Sequence, residues 1–280
     1  MSLSLREQSA IDAANQSGHV PVVFVHGLWV LASSWTPWAE MFEAQGFAPV
    51  AVDWPGDPAT VAEARDNPDA FREQTVDAVM KHLEDVVEAL DQPPVVIGHS
   101  FGGLFAQKLA AKGASRATVA LAPAPFKGVL PLPWSAIRST LPVLGAPWTW
   151  GGAVQLKPAQ FRYGWSNALA DEASAELYER HHVPAPTRPL LAAATANVNP
   201  WASTRVDTRA DGRGPLLLVA GDADHTVPIS IVRAAFRLQQ RNASPTRFEI
   251  AKGRGHSLTI DDGWRDVAEL ALHFVRDATA

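Results

Sequence analysis

Val95-Val96-Ile97-Gly98-His99-Ser100-Phe101-Gly102-Gly103-Leu104-Phe105-Ala106-Gln107-Lys108-Leu109-Ala110-Ala111 is the stretch whose reading decides the fold. A β-branched run too short for a helix leads into a serine between two glycines, and a helix-forming run follows that Gly113 can end. Gly98-His99-Ser100-Phe101-Gly102 fits Gly-x-Ser-x-Gly, and in a strand-turn-helix setting this pattern is a nucleophile elbow that presents the serine Oγ above the sheet. The glycines belong there for steric reasons, because neighbouring segments crowd the turn and a Cβ would collide with them. No Gly-Lys-Ser/Thr follows, which disfavours a phosphate-binding loop.

On either side the same rhythm repeats. Pro21 to Val25 ends at His26-Gly27, Pro49 to Val52 ends at Asp53-Trp54-Pro55-Gly56, and further apolar runs cover Ala117 to Leu121, Leu216 to Ala220 and Arg247 to Ala251. Unbroken apolar runs of this length suit strands buried on both faces, as in a parallel sheet. Val76, Val79, Met80, Leu83, Val86, Val87 and Leu90 recur at helical spacing, as do Val267, Leu270, Ala271, Phe274 and Val275. Strands alternating with such helices predict an α/β fold with a mostly parallel sheet flanked by helices.

Between about Pro123 and Gly214 no clean strand appears, while Pro and Trp concentrate in Pro131-Leu132-Pro133-Trp134, Pro147-Trp148-Thr149-Trp150 and Asn199-Pro200-Trp201. A structureless loop of that length does not fit a compact domain, so the segment is expected to be an inserted, mainly helical subdomain. The expected division is an N-terminal extension over 1–20, a core over 21–123 and 215–280, and the insertion over 124–214.

A serine hydroxyl needs an adjacent general base, itself oriented by a third group. His256, in the loop after the run ending at Ala251, lies at the sheet edge where open parallel sheets place their sites. Asp222 and Asp224, directly after the run ending at Ala220, are the acid candidates. The order Ser100, acid, His256 differs from that of chymotrypsin-like and subtilisin-like proteases.

On these residues the chain resembles the α/β-hydrolase family from about Pro21 to Val275, with a His-Gly pair at His26-Gly27 and a Gly-x-x-Asp-x-x-Val-Pro loop at Gly221 to Pro228. The resemblance makes Asp224 the acid and leaves Asp222 as a turn residue bound to its own backbone. It implies an oxyanion hole formed by the backbone N–H groups of Phe101 and Leu28, with Trp29 as the second choice to Leu28. It also makes the insertion a cap, selecting substrate while leaving the chemistry to the core. Two extra N-terminal antiparallel strands of some members are expected to be absent or reduced.

The 280 residues carry a net charge of -5 with no cluster of Lys and Arg along the chain, which sets nucleic acid aside as a partner. No apolar stretch is long enough to span a membrane, the N-terminus does not read as a signal peptide, and a cytoplasmic enzyme is expected. Cysteine is absent, which excludes disulfides, thiolate metal sites and a Cys nucleophile. His181-His182 reads as surface, with no third ligand at metal spacing. His26 and His99 read as packing residues. Aromatic residues Trp29, Phe126, Trp134 and Trp150 are expected to line an apolar pocket.

The predicted activity is hydrolysis of a small, largely apolar carboxylic ester through an acyl-enzyme on Ser100, with no metal or organic cofactor required. Lactone, amide or carbamate and carbon–carbon hydrolysis and perhydrolysis use the same residues. A ligand-binding receptor on this scaffold is the reading from another class. Oligomeric state is not encoded in any pattern seen here.

Overall fold

The computed structural model describes residues 3–279; residues 1, 2 and 280, which belong to the expected extension and core, lie outside it. The chain opens with α1 (Leu5–Ser17), β1 (Val20–Val25), α2 (Thr36–Glu43), β2 (Phe47–Val52), α3 (Val61–Asp66) and α4 (Val76–Glu88). It continues through β3 (Val95–His99), α5 (Phe101–Ala111) and β4 (Ala117–Leu121). A mainly helical stretch follows, with α6 (Trp134–Leu144), β5 (Ala153–Val154), α7 (Pro158–Gly164), α8 (Asp171–His181), β6 (Ala185–Pro186) and α9 (Thr187–Ala194). The sheet then resumes with β7 (Leu216–Gly221), α10 (Ile229–Gln239), β8 (Thr246–Ala251) and α11 (Trp264–Thr279).

The six apolar runs of the sequence form one sheet in the order β2-β1-β3-β4-β7-β8, and every pairing in it is parallel. β3, β4 and β7 are buried along their whole length, which is why they read as continuous apolar runs. β8 lies at the edge and alternates for its first residues, with Arg247 and Glu249 exposed.

Right-handed crossovers decide where the helices lie. The step from β1 to β2 runs one way along the sheet, while the steps from β2 to β3, β3 to β4 and β7 to β8 run the other way. Helix α2 therefore covers one face, joined there by α11, and α4, α5 and α10 cover the other. The reversal falls between β1 and β3, and the crevice beyond their C-terminal ends is the topological switch point at which such sheets bind ligands. Ser100 and the loop after β1 lie there.

No antiparallel strand precedes β1 among the described residues; α1 occupies that stretch. Ser4 and Glu7 cap α1 reciprocally, and Gly18 ends it with φ of 68°. Glu7 is also buried, with Oε1 2.8 Å from His82 Nε2 on α4 and accepting the Asp53 amide at 3.2 Å. Burial alone would push the Glu7 carboxyl up, but hydrogen bonds from His82 and Ser4 and the attraction of His82 outweigh it and hold it below its ordinary value.

A carboxyl held low contributes stability above its ordinary value and loses it as the pH falls through the folded one. Glu7→Gln should therefore cost about 2 kcal/mol at neutral pH. In urea denaturation the difference from wild type should close as the pH falls below the ordinary carboxylate range. A gap that persists undiminished at about pH 3 would show that the charge does not hold α1 in place.

Candidate active site

Ser100 sits at the tip of the turn between β3 and α5 with φ 55° and ψ -118°, a conformation that L residues rarely adopt. Its strain is offset by the surroundings. Ser100 N donates to Leu121 O at 2.9 Å, and Ser100 O accepts from Ala124 N at 2.9 Å and Leu104 N at 3.1 Å.

The glycines allow the close approach the sequence implied. A Cβ on Gly102 would lie 2.0 Å from Val25 O, one on Gly98 would lie 2.1 Å from Gly102 O, and one on Gly27 would lie 2.7 Å from Ser100 Cβ. The obstacles are mostly backbone, which cannot step aside.

His256 bridges the two remaining candidates. Its Nε2 is 3.0 Å from Ser100 Oγ and its Nδ1 is 2.7 Å from Asp224 Oδ2, and all three side chains are buried. Asp224 is held in turn, because its Oδ1 accepts from the amides of Thr226 at 2.7 Å and Val227 at 2.8 Å. A hydroxyl, an imidazole and an anchored carboxylate in this line can pass a proton from Oγ to Nε2 while the carboxylate fixes the ring.

Asp222, two residues earlier, points elsewhere. It accepts from Gly253 N at 2.6 Å, so the expectation of a bond to its own backbone is corrected. It stitches the loop after β7 to the loop after β8.

His99 packs 4.7 Å from the His256 ring, centroid to centroid. Burial first, and then repulsion from His256, push its imidazole well below the ordinary range, so it stays neutral there. His26 lies behind the loop after β1. Its Nδ1 donates to Gly27 O at 2.8 Å, and its Nε2 is 2.9 Å from Asp57 Oδ2. Asp57 also accepts from Gln74 Nε2 at 2.6 Å and Trp54 N at 2.8 Å. The Gly27 carbonyl and the Leu28 N–H belong to one planar peptide, so fixing the carbonyl also fixes the direction of that N–H.

Above Ser100 lies an apolar cavity of about 180 Å³. Trp29 and Phe126 line it, as expected, together with Phe101, Leu156, Trp165, Leu190 and Val227. Its polar lining among the described residues is Ser100, Ser139, Thr140, Asn197 and Thr226, and no charged side chain faces it.

Trp134 and Trp150 do not line the cavity, which corrects the sequence expectation. Helix α6 turns Ala136, Ser139, Thr140 and Leu144 inward, and this phase puts Trp134 outside, 70% exposed. Trp150 lies beyond the helix, half exposed, with its indole donating to Val143 O at 3.2 Å.

His182 is likewise not a surface residue. It is fully buried, stacks on Tyr178, and accepts the Leu156 amide on Nε2 at 3.0 Å. Burial, followed by the nearby Arg65 charge, lowers its pKa to about 3, and burial followed by Arg180 lowers that of His181 to about 4.

The residues that sequence reasoning missed lie at the end of α7. Thr226 Oγ1 donates to Gly164 O at 2.7 Å, His225 Nδ1 to Tyr163 O at 3.0 Å, and Asn167 Nδ2 to Ala223 O at 2.8 Å. Trp165 O accepts from Ser257 N at 2.9 Å, and its indole meets the His256 ring edge-on at 4.9 Å. The inserted segment thus braces both the acid loop and the histidine loop. Trp165 was visible only as one aromatic among many.

The model of the alpha/beta hydrolase family matches residues 22–270, and the chain belongs to that family. No curated protein matches it. Among solved structures it is similar to the monoacylglycerol lipase of Paleococcus ferrophilus, at 22% identity over 92% of this chain and 94% of that one, with a TM-score of 0.66. An extracellular alpha/beta-hydrolase from a Paenibacillus species matches at 17% identity over 91% and 98%, with a TM-score of 0.66. A methylesterase from Arabidopsis matches at 17% identity over 92% and 99%, with a TM-score of 0.62. At these identities the likeness is one of fold. No helix among the described residues is long and apolar enough to cross a membrane.

Because the elbow depends on bare backbone contacts, Gly102→Ala should destabilise the protein by about 3 kcal/mol or more in thermal or urea unfolding. A loss below about 1 kcal/mol would mean that α5 can retreat from β1 without consequence.

Proposed function

We propose that this alpha/beta hydrolase cleaves small, largely apolar carboxylic esters, with Ser100 as nucleophile, His256 as general base and acid, and Asp224 as the orienting carboxylate. The observation that carries the reading is the His256 ring, which spans Ser100 Oγ and Asp224 Oδ2 while Ser100 lines an apolar cavity.

In this mechanism Ser100 Oγ attacks the ester carbonyl as its proton passes to His256 Nε2. The tetrahedral oxyanion is received by the amides of Phe101 and Leu28. The Phe101 N–H opens α5, where first-turn amides have no partner within the helix. The Leu28 N–H is aimed by the His26 and Asp57 contacts on the other side of its peptide. His256 then protonates the leaving alcohol, and the same imidazole activates water to release the acid.

The segment 124–214 acts as the cap. Its inner wall favours an uncharged acyl or alkyl group, because a charged one would be desolvated with no partner. A monoacylglycerol lipase and a methylesterase among the similar folds support ester chemistry as the class.

Steady-state kinetics on p-nitrophenyl esters of increasing chain length test the proposal. Ser100→Ala and Asp224→Asn should each lower kcat on the order of a thousandfold or more. Asp222→Asn should cost only a few-fold, since an amide oxygen still accepts from Gly253. A tenth of wild-type activity left in Ser100→Ala, or the reverse ranking of folded aspartate variants, would overturn the assignment.

A further inference from the structure

Of the ten large apolar side chains exposed among the described residues, eight lie between Leu130 and Trp201. They belong to the segment that encloses the cavity, lying just before α6, on and just after it, and after α9. Leu130 and Leu132 are both exposed and cavity-lining, so they form its mouth. Val198 and Trp201 come beside them, because Gly128 N donates to Asn197 Oδ1, Asn197 Nδ2 to Val129 O and Lys127 Nζ to Asn199 O.

Helix α6 has no polar side in the usual sense. One face lines the cavity, and the opposite face shows water Trp134, Arg138 and Leu141 at positions i, i+4 and i+7, with Trp148 just past its end. A helix with apolar residues on both faces implies that something covers the outer one.

Charge indicates what that is. Although the whole chain is at -5, the sequence holds no Asp or Glu between Asp91 and Asp171, or between Glu179 and Asp207. Both stretches that carry the exposed apolar residues are therefore free of acids. The first contributes Lys127, Arg138, Lys157 and Arg162 to the inserted segment, of which Arg162 pairs with Asp171. Trp beside Lys and Arg, with no carboxylate among them, is the composition that settles at a lipid–water boundary. An anionic surface would be attracted by these cations, and the two acid-free stretches themselves carry no negative charge to repel it.

We propose that the rim of the cavity mouth docks on an anionic lipid surface, so that an amphiphilic substrate passes from that surface into the cavity between Leu130 and Leu132. Docking extends the ester-hydrolase reading without depending on it, because binding is measured on Ser100→Ala protein, which cannot turn over.

The test is co-sedimentation of Ser100→Ala protein with vesicles of phosphatidylglycerol or of phosphatidylcholine. Binding should be about tenfold or more tighter to phosphatidylglycerol and should weaken with salt. Adding Trp148→Ser and Trp201→Ser should abolish most of it, and adding Arg138→Glu should weaken binding to phosphatidylglycerol about tenfold. In the Ser100 background of the wild type, the two Trp changes should leave kcat/KM on soluble p-nitrophenyl acetate unchanged. Absence of vesicle binding, equal binding to both lipids, or binding indifferent to the Trp changes would overturn the proposal. So would a dimer in sedimentation velocity that dissociates on the same changes, since the rim would then belong to a second copy.

Discussion

Gly102 passes the Val25 carbonyl with only a hydrogen where a Cβ would stand 2.0 Å from the oxygen, and the site depends on that clearance. The approach brings the N-terminus of α5 against the end of β1. It puts the loop after β1 and Ser100 into one small volume. Gly98 and Gly27 extend the same constraint to the turn and to the serine itself. Backbone this crowded has one arrangement, and the φ of 55° at Ser100 is what that arrangement imposes. The serine is thus fixed before any side chain reaches it, and His256 and Asp224 have only to arrive from the ends of the next strands.

The inserted segment does more than roof the cavity. Through Tyr163, Gly164, Trp165 and Asn167 it holds the acid loop and the histidine loop, and through Val154 and Val183 it holds Trp29, whose indole donates to Val154 O at 3.0 Å. Trp29 itself has φ of 67°, a second strained residue at the same edge. The wall of the cavity and the surroundings of the His256 ring therefore share Trp165. Change at Trp165 reaches both the wall of the cavity and the face of the imidazole.

The strands and the elbow were legible in the sequence because each is written in adjacent residues, whereas the choice of Asp224 over Asp222 came from the resemblance of Gly221 to Pro228 to the family's loop. All six strands of the parallel sheet lie within two residues of the apolar runs that announced them, while the two-residue strands β5 and β6 had no such run. What escaped depended on contacts far apart in the chain. Trp134 looked like a pocket residue because the rotation of α6 cannot be read until its inner neighbours are known, and Trp150 because its place in the turn after that helix follows from the indole bond to Val143 O. His182 looked like surface because its burial comes from Phe161, Tyr178 and Leu156, none of them adjacent to it. Asp222 finds its partner at Gly253 on another loop. The Ser4 and Glu7 cap of α1 was a local signal that could have been read, but the burial of Glu7 against His82 was not.

The central claim is that His256, held by Asp224, makes Ser100 Oγ the one nucleophile of the cavity. Peptide mapping by mass spectrometry after treatment with a fluorophosphonate tests it most directly. The account predicts a single adduct per chain on Ser100, formed rapidly by the wild type and slowed by orders of magnitude in folded His256→Gln protein. An adduct on another residue, or equal labelling rates in the two proteins, would contradict it.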